Sequence, residues 1–218
     1  MPPPYLAALS SRLETARSSR LRTPLTSLRT NLEVLGRNGL DEADHVKLRA
    51  DVIAQLEELT LLVSDLVELA RVEEPVAERE ALRLDELVAA AVERARRHAP
   101  GVAFTTELEP VVVDGVRGRL DRAVANLLDN AAKYSDRVEV RLRGGELVVR
   151  DHGPGIADED LPFVFDRFYR AASARGRPGS GLGLAIVRQA AEAHGGSVQA
   201  ATAPDGGAVL KLALSASS

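Results

Sequence analysis

No cysteine occurs among the 218 residues, which excludes disulfides, thiolate metal sites and cysteine nucleophiles and points to the cytosol. No apolar run approaches the roughly 20 residues that span a bilayer, and the Met1-Pro-Pro-Pro4 start lacks a signal-peptide core. A net charge of −4 against a charged fraction of 28% leaves no basic field for nucleic acid or anionic lipid. Lysine is scarce: Lys47, Lys133 and Lys211 are the full set, so a lysine inside a motif carries information. What the chain does have is a hydrophobic fraction of 45%, enough to fill one large core or two small ones.

The first seventy residues read as two helices. Leu21, Leu25, Leu28, Leu32 and Leu35 form one heptad seam, and Val52, Leu56, Leu59, Val63, Leu66 and Ala70 form a second. Between them, Gly36 to Asp44 holds two glycines and an Asp41 suited to capping, so the pair should fold back as an antiparallel hairpin. One hairpin covers its seams poorly, and pairing two into a four-helix bundle implies a homodimer. A charged stretch around Pro75 ends the second helix and sets the expected domains at 1–73 and 74–218. Beyond it, strands are expected near 81–84, 102–108, 111–113, 137–142, 146–150, 197–201 and 208–214, with helices near 85–98, 119–133 and 184–194. Asp85 is the expected cap of the first, and Gly144-Gly145 the turn of a β-hairpin. Helices and mostly antiparallel strands make the class α+β, a two-layer sandwich after a helical hairpin.

Four motifs then follow in series: Asn126-Leu-Leu-Asp-Asn130-Ala-Ala-Lys133-Tyr134, Asp151-His-Gly153-Pro-Gly155, Phe165-Asp-Arg-Phe168-Tyr169-Arg170 and Gly179-Ser-Gly181-Leu-Gly183. On a helix, Asn126, Asn130 and Lys133 share a narrow arc opposite Leu120, Val124, Leu127, Leu128 and Ala131. Carboxamides can ligate Mg²⁺ or donate to phosphate, lysine adds a point charge, and Tyr134 can lie against a base. Asp151 ends a strand beside glycines that allow close backbone approach, where a carboxylate can accept from an exocyclic amine and so favour adenine over guanine. Residues 157–180 have the composition of a lid, with Phe163, Phe165, Phe168 and Tyr169 as anchor and Arg170 within reach of a terminal phosphate. Gly179, Gly181 and Gly183 open a helix whose free N–H groups and positive end suit phosphates. Each motif alone is an ordinary polar face or turn; the series reads as an ATP pocket. The P-loop signature is missing, the third glycine of the dinucleotide fingerprint is missing, and neither His-Arg-Asp nor Asp-Phe-Gly occurs.

On these motifs the last 140 residues resemble the ATPase domain shared by histidine kinases, gyrase and mismatch-repair ATPases. The preceding hairpin, with Arg20-Leu-Arg-Thr23-Pro24, resembles the dimerisation helix of sensor histidine kinases. The resemblance implies that Asn126 and Asn130 hold Mg²⁺ and phosphates, that Lys133 and Arg170 contact phosphate, and that Tyr134 flanks adenine. Asp151 would read the adenine amine, Gly153 and Gly155 would shape the base pocket, and Gly181 and Gly183 would close the lid hinge. It further implies a response regulator receiver domain as partner. The expected location is the cytoplasmic portion of a membrane sensor, this fragment itself touching neither membrane nor nucleic acid. Asparagine at 126 cannot act as general base, unlike the glutamate of gyrase-like ATPases, so phosphoryl transfer is favoured over hydrolysis. After Gly206-Gly207, Ala208 stands where the family often has a hydroxyl residue.

The acceptor segment departs from the family. Its pattern Ser-His-Glu-Leu-Arg-Thr-Pro becomes Ser18-Ser19-Arg20-Leu21-Arg22-Thr23-Pro24, so the phosphorylated histidine and its acidic neighbour are both missing. Ser19 and Thr23 still point outward on one face. A serine hydroxyl has a far higher pKa than imidazole and Arg20 cannot take its proton, so self-phosphorylation at 19 should fail. His45, His98, His152 and His194 lack the motif and read as structural or solvated. Three readings stand together: a kinase core with an altered acceptor segment, an ATP-binding pseudokinase acting through dimer shape, and a kinase for a partner's side chain.

Overall fold

The computed structural model describes residues 78–171 and 179–216, together with positions 26, 30, 31, 33–35, 44, 47–53 and 56. The chain divides into two compact units, Met1–Ser64 and Asp65–Ser218. In the first unit every described position is helical, and Thr30 Oγ1 donates back to the Thr26 carbonyl at 3.0 Å. Val52 is buried there, whereas Ile53 and Leu56 stay 52% and 48% exposed within the single chain. The expected seam residues Leu21, Leu25, Leu28, Leu32, Leu59, Val63, Leu66 and Ala70, the turn at 36–43 and the boundary near Pro75 lie outside the described residues.

The second unit is an α+β sandwich. Strands β1 (Glu80–Arg83) and β3 (Val112–Gly115) make a small antiparallel sheet. Five strands make the main sheet: β2 (Ala103–Leu108), β4 (Arg137–Arg143), β5 (Glu146–Asp151), β7 (Ala208–Ala213) and β6 (Ser197–Thr202), in that spatial order. All its pairings are antiparallel except β2 with β4. The β4–β5 hairpin turns on Gly144 and Gly145 at φ +55° and +88°, values that a tight hairpin demands of both turn residues and that glycine supplies without strain.

Period-two alternation decides which face each strand buries. Val138, Val140 and Leu142 of β4, Leu147 and Val149 of β5, and Leu210 and Leu212 of β7 share one core with helices α1 (Leu84–His98), α2 (Arg117–Tyr134) and α3 (Gly183–Ala193). The apolar stripe of α2 is as expected: Leu120, Val124, Leu127 and Leu128 are fully buried. The opposite sheet face carries ion pairs such as Arg141–Glu139 at 3.0 Å and Lys211–Glu146 at 3.7 Å. Surface pairs of this kind contribute about 0–1 kcal/mol each, against about 1.5–3 kcal/mol for one buried leucine, so the core and not the ladder of charges holds the sheet.

The expected cap at Asp85 is corrected. Strand β1 runs straight into α1, so the extended Arg83 (φ −72°, ψ 96°) occupies the cap position and offers no side-chain cap. Asp85 lies inside the first turn. Its carboxylate accepts from Arg83 Nε at 2.9 Å and from the Val111 amide at 3.2 Å. The Arg83 hydrogen bond, backed by the Val111 amide and by the Asp85 backbone amide itself, holds its pKa down to about 2.

Candidate nucleotide site

Helix α2 carries the polar row. Its apolar stripe fixes the rotation, leaving Asn126, Asn130, Lys133 and Tyr134 half-buried at the edge of the core. Asn126 Nδ2 is buried and has no hydrogen-bond partner among the described residues. A buried amide donor left in this state costs about 1–3 kcal/mol, so its presence marks a place where an acceptor belongs. Facing it is the glycine segment that leads into α3. A Cβ placed on Gly183 would stand 3.0 Å from Asn126 Oδ1, and one on Gly179 would stand 2.8 Å from Lys133 Nζ. One on Gly181 would meet the Tyr169 carbonyl at 2.8 Å and Arg170 Cγ at 3.1 Å. The fourth motif thus closes on the first and the third on the fourth: the start of α3 lies against the Asn126 carboxamide, and Gly179 ahead of it lies against the Lys133 ammonium. Gly181 adopts φ +73°, a left-handed conformation costly for other residues.

Asp151, at the end of β5, is 3% exposed. Its Oδ1 accepts from the Gly153 amide at 2.8 Å and from the Ala208 amide at 3.1 Å. Among the described residues no bond goes to Oδ2. The carboxylate is therefore held by one oxygen and offers the other. Glycines crowd around it for lack of room. A Cβ on Gly153 would fall 2.5 Å from the Tyr134 carbonyl, and one on Gly207 would fall 1.9 Å from the Asp151 carbonyl. The base loop is thereby pressed against the C-terminus of α2, which joins the second motif to Tyr134. Lys133 Nζ sits 5.6 Å from the Tyr134 ring centre.

Two residues at this site, Ser135 and Thr202, escape the sequence reading, and Phe168, expected as part of the aromatic anchor, takes a further backbone role. Ser135 ends α2, and its Oγ donates to the Arg137 carbonyl at 2.8 Å while accepting from the Arg137 and His152 amides at 3.0 and 3.1 Å. Among the described residues Phe168 is the one non-glycine residue with positive φ, +66°, and its amide donates to the Gly181 carbonyl at 2.8 Å. Thr202 bonds both backbone groups of Ile156. A serine after a helix gives a weak capping signal; the Thr202 contacts and the left-handed turn at Phe168 leave none. The aromatic anchor is present as a Phe163–Tyr169 contact at 5.6 Å with the Tyr169 hydroxyl donating to Asp160. Positions 172–178 of the expected lid, and the acceptor positions Ser19, Arg20 and Thr23, lie outside the described residues.

The histidines in the second unit serve the scaffold. His152 Nε2 pairs with Glu139 at 2.8 Å, and this hydrogen bond lowers the Glu139 pKa. His98 Nδ1 meets the Arg94 carbonyl at 2.8 Å. His194 is buried with Nδ1 on the Ala190 carbonyl at 2.6 Å and Nε2 accepting from the Val116 amide at 3.0 Å, and desolvation pushes its pKa down. His45 lies outside the described residues.

Two family models divide the chain at these features. The His Kinase A (phospho-acceptor) domain matches residues 16–75, and the histidine kinase-, DNA gyrase B- and HSP90-like ATPase matches residues 115–218. A mycobacterial sensor histidine kinase of solved structure, MprB, is 38% identical, aligns over 63% of this chain and 97% of its own, and superposes with a TM-score of 0.57. The chain belongs to the sensor histidine kinases. The histidine kinase AdeS of Acinetobacter baumannii, 27% identical, covers 89% of this chain and 97% of its own with a TM-score of 0.65. The signal transduction histidine-protein kinase/phosphatase MprB of Mycobacterium avium (strain 104) is 45% identical over 211 residues, 90% of this chain. The chain spans 40% of the length of that curated relative. No helix among the described residues is long and apolar enough to cross a membrane.

Proposed function

We propose that this chain is the dimerisation and ATP-binding core of a two-component sensor kinase, with a dimerising hairpin over 1–73 and an ATP-binding unit over 74–218. The observation that carries the reading is the pairing of two unfinished groups in one unit. Asn126 Nδ2 is a buried donor without an acceptor, and Asp151 is a buried carboxylate fixed through one oxygen. A phosphate oxygen completes the first and an adenine amine completes the second. Asn126 and Asn130 would hold Mg²⁺ beside the phosphates. The ion would neutralise charge on the transferring phosphoryl group. Lys133 and Arg170 would add positive charge from two sides, Tyr134 would flank the base, and the Gly179, Gly181 and Gly183 segment would present backbone amides at the start of α3. Titration with Mg-ATP and Mg-GTP tests this directly: binding of ATP with clear preference over GTP is expected, and equal affinity would remove the role of Asp151.

The pocket positions ATP but brings no general base, since an asparagine cannot take a proton from water. Transfer to a protein side chain is thus the supported chemistry, with a histidine as acceptor in the family and a response regulator aspartate after it. This chain has Ser19 and Arg20 where that acceptor and its acidic neighbour belong, so self-phosphorylation is expected to be absent. Incubation with labelled ATP should leave the chain unlabelled. Restoring both residues, Ser19→His with Arg20→Glu, should return labelling if only the acceptor segment has changed. Continued inactivity with intact ATP binding would identify a pseudokinase, and label on a partner would identify an outward-acting kinase.

Retention of Thr23-Pro24 beside the altered pair favours a second activity. A polar side chain one turn after the acceptor position can orient water onto the regulator's aspartyl phosphate, releasing inorganic phosphate and restoring the carboxylate. The name of the M. avium relative, a kinase/phosphatase, supports this reading. Decay of a phosphorylated regulator should quicken with this chain and ATP, and Thr23→Ala should abolish the gain. The exposed Ile53 and Leu56 support a homodimer, which light scattering would register as twice 23.3 kDa. The full protein is proposed to be a membrane sensor whose cytoplasmic part includes this chain.

A further inference from the structure

We infer that Thr202 is the positioning residue for the purine pocket, fixing the loop 153–156 through a single hydroxyl; the inference rests on the ATP reading above. Thr202 ends the edge strand β6, with no obvious business at a site built from β5 and α2. Yet its Oγ1 donates to the Ile156 carbonyl at 2.6 Å and accepts from the Ile156 amide at 3.0 Å. Both backbone groups of one loop residue, which would otherwise face solvent, are thus satisfied by one side chain. The methyl group acts as well: a Cβ on Gly155 would lie 2.6 Å from Thr202 Cγ2, so the left-handed glycine at φ +79° packs directly on it.

The register explains why this matters for the base. Thr202 lies opposite Ala208 across the β6–β7 ladder, and the Ala208 amide donates to Asp151 Oδ1. One rung of the sheet therefore grips both ends of the loop, Asp151 through a backbone amide and Ile156 through a hydroxyl. Ile156 in turn packs against the main core. The loop that carries the adenine-reading carboxylate is held before the nucleotide arrives, so little ordering entropy is left to be lost on binding.

The test is calorimetric titration of the full chain with Mg-ATP and, as a ligand without base, inorganic tripolyphosphate. Thr202→Val keeps the shape and removes the hydroxyl. Loss of two hydrogen bonds should weaken ATP by about tenfold or more while tripolyphosphate binding stays within about twofold. Thr202→Ser keeps the hydroxyl and should retain most ATP affinity. Equal weakening of both ligands by Thr202→Val, or unchanged ATP affinity, would overturn the inference while the ATP reading stands. A wild-type chain that binds no ATP would overturn both. Hydrogen exchange on the unsubstituted chain gives an answer independent of any variant: without nucleotide the Ile156 amide should be protected, and exchange at the rate of an open loop would refute the grip.

Discussion

The two ends of the pocket are built differently. Around Asp151 the loop's polar groups are mostly matched within the fold, by the Gly153 and Ala208 amides on one oxygen and by Thr202 on Ile156, although Arg150 Nε on the same strand is buried without a partner among the described residues. Around Asn126 the groups are brought close but left incomplete, with a buried donor unpartnered and a left-handed Gly181 leading into α3. On the proposed reading, the base end is set in advance by a sheet, and the phosphate end by a helix start and a loop whose missing acceptors a bound nucleotide would supply. Selectivity should therefore reside at the first and coupling to the reaction at the second.

The strongest way to break this contrast is Asp151→Asn. Its amide can still accept through one oxygen, but the other position becomes a donor that opposes the adenine amine. ATP affinity should fall on the order of 100-fold with tripolyphosphate nearly unaffected, as calorimetry would show. A smaller effect of the opposite kind is expected from Gly181→Ala. The added methyl meets the Tyr169 carbonyl at 2.8 Å and must adopt φ +73°, which should weaken ATP and tripolyphosphate alike by about tenfold. Equal loss for both ligands in the first variant, or a loss confined to ATP in the second, would erase the distinction.

Acid should act beneath both ends. His194 is neutral in the fold and its pKa is lowered by burial, so the unfolded chain takes up the proton first. Stability is then flat above the ordinary histidine pKa of 6.5 and declines as pH falls below it, by up to about 1.4 kcal/mol per pH unit for one proton. Urea midpoints measured at neutral and mildly acidic pH should show this slope, and His194→Asn should flatten it. The smallest effect belongs to Arg150→Ala. This half-buried partner of Asp205, at 2.5 Å, makes none of the hydrogen bonds at Asp151 or Ile156, so ATP affinity should hold within about twofold.

Elements with strong local signals were readable from the chain itself. The buried stripe of α2, the diglycine hairpin and the strand end at Asp151 all rest on periodicity or on turn residues, which act within a few positions. Asp85 misled because a capping residue looks the same whether the preceding segment is loop or strand, and here β1 runs into the helix. Thr202 and Ser135 were invisible for another reason. Their hydroxyls reach 46 and 17 positions along the chain to Ile156 and His152, and no spacing rule connects such pairs. Phe168 is the same case in backbone form, since its left-handed φ is sustained by the Gly181 carbonyl across the loop.

The parallel pairing of β2 with β4 has a kinetic consequence. The β4–β5 hairpin and the β6–β7 pair join near neighbours and can zip early, within microseconds for a simple hairpin. Strand β2 must instead wait for residues 109–136 to fold back over the sheet, and that crossover contains α2 with Asn126, Asn130 and Lys133. That crossover installs the polar row, and the still longer closure of β5 on β7, with Glu146 opposite Ala213, must also form before the pocket is whole. During refolding, a fluorescent ATP analogue should report binding only in the last phase, after hairpin signals have appeared. Nucleotide capture in an earlier phase would show that the pocket forms before these long-range pairings close.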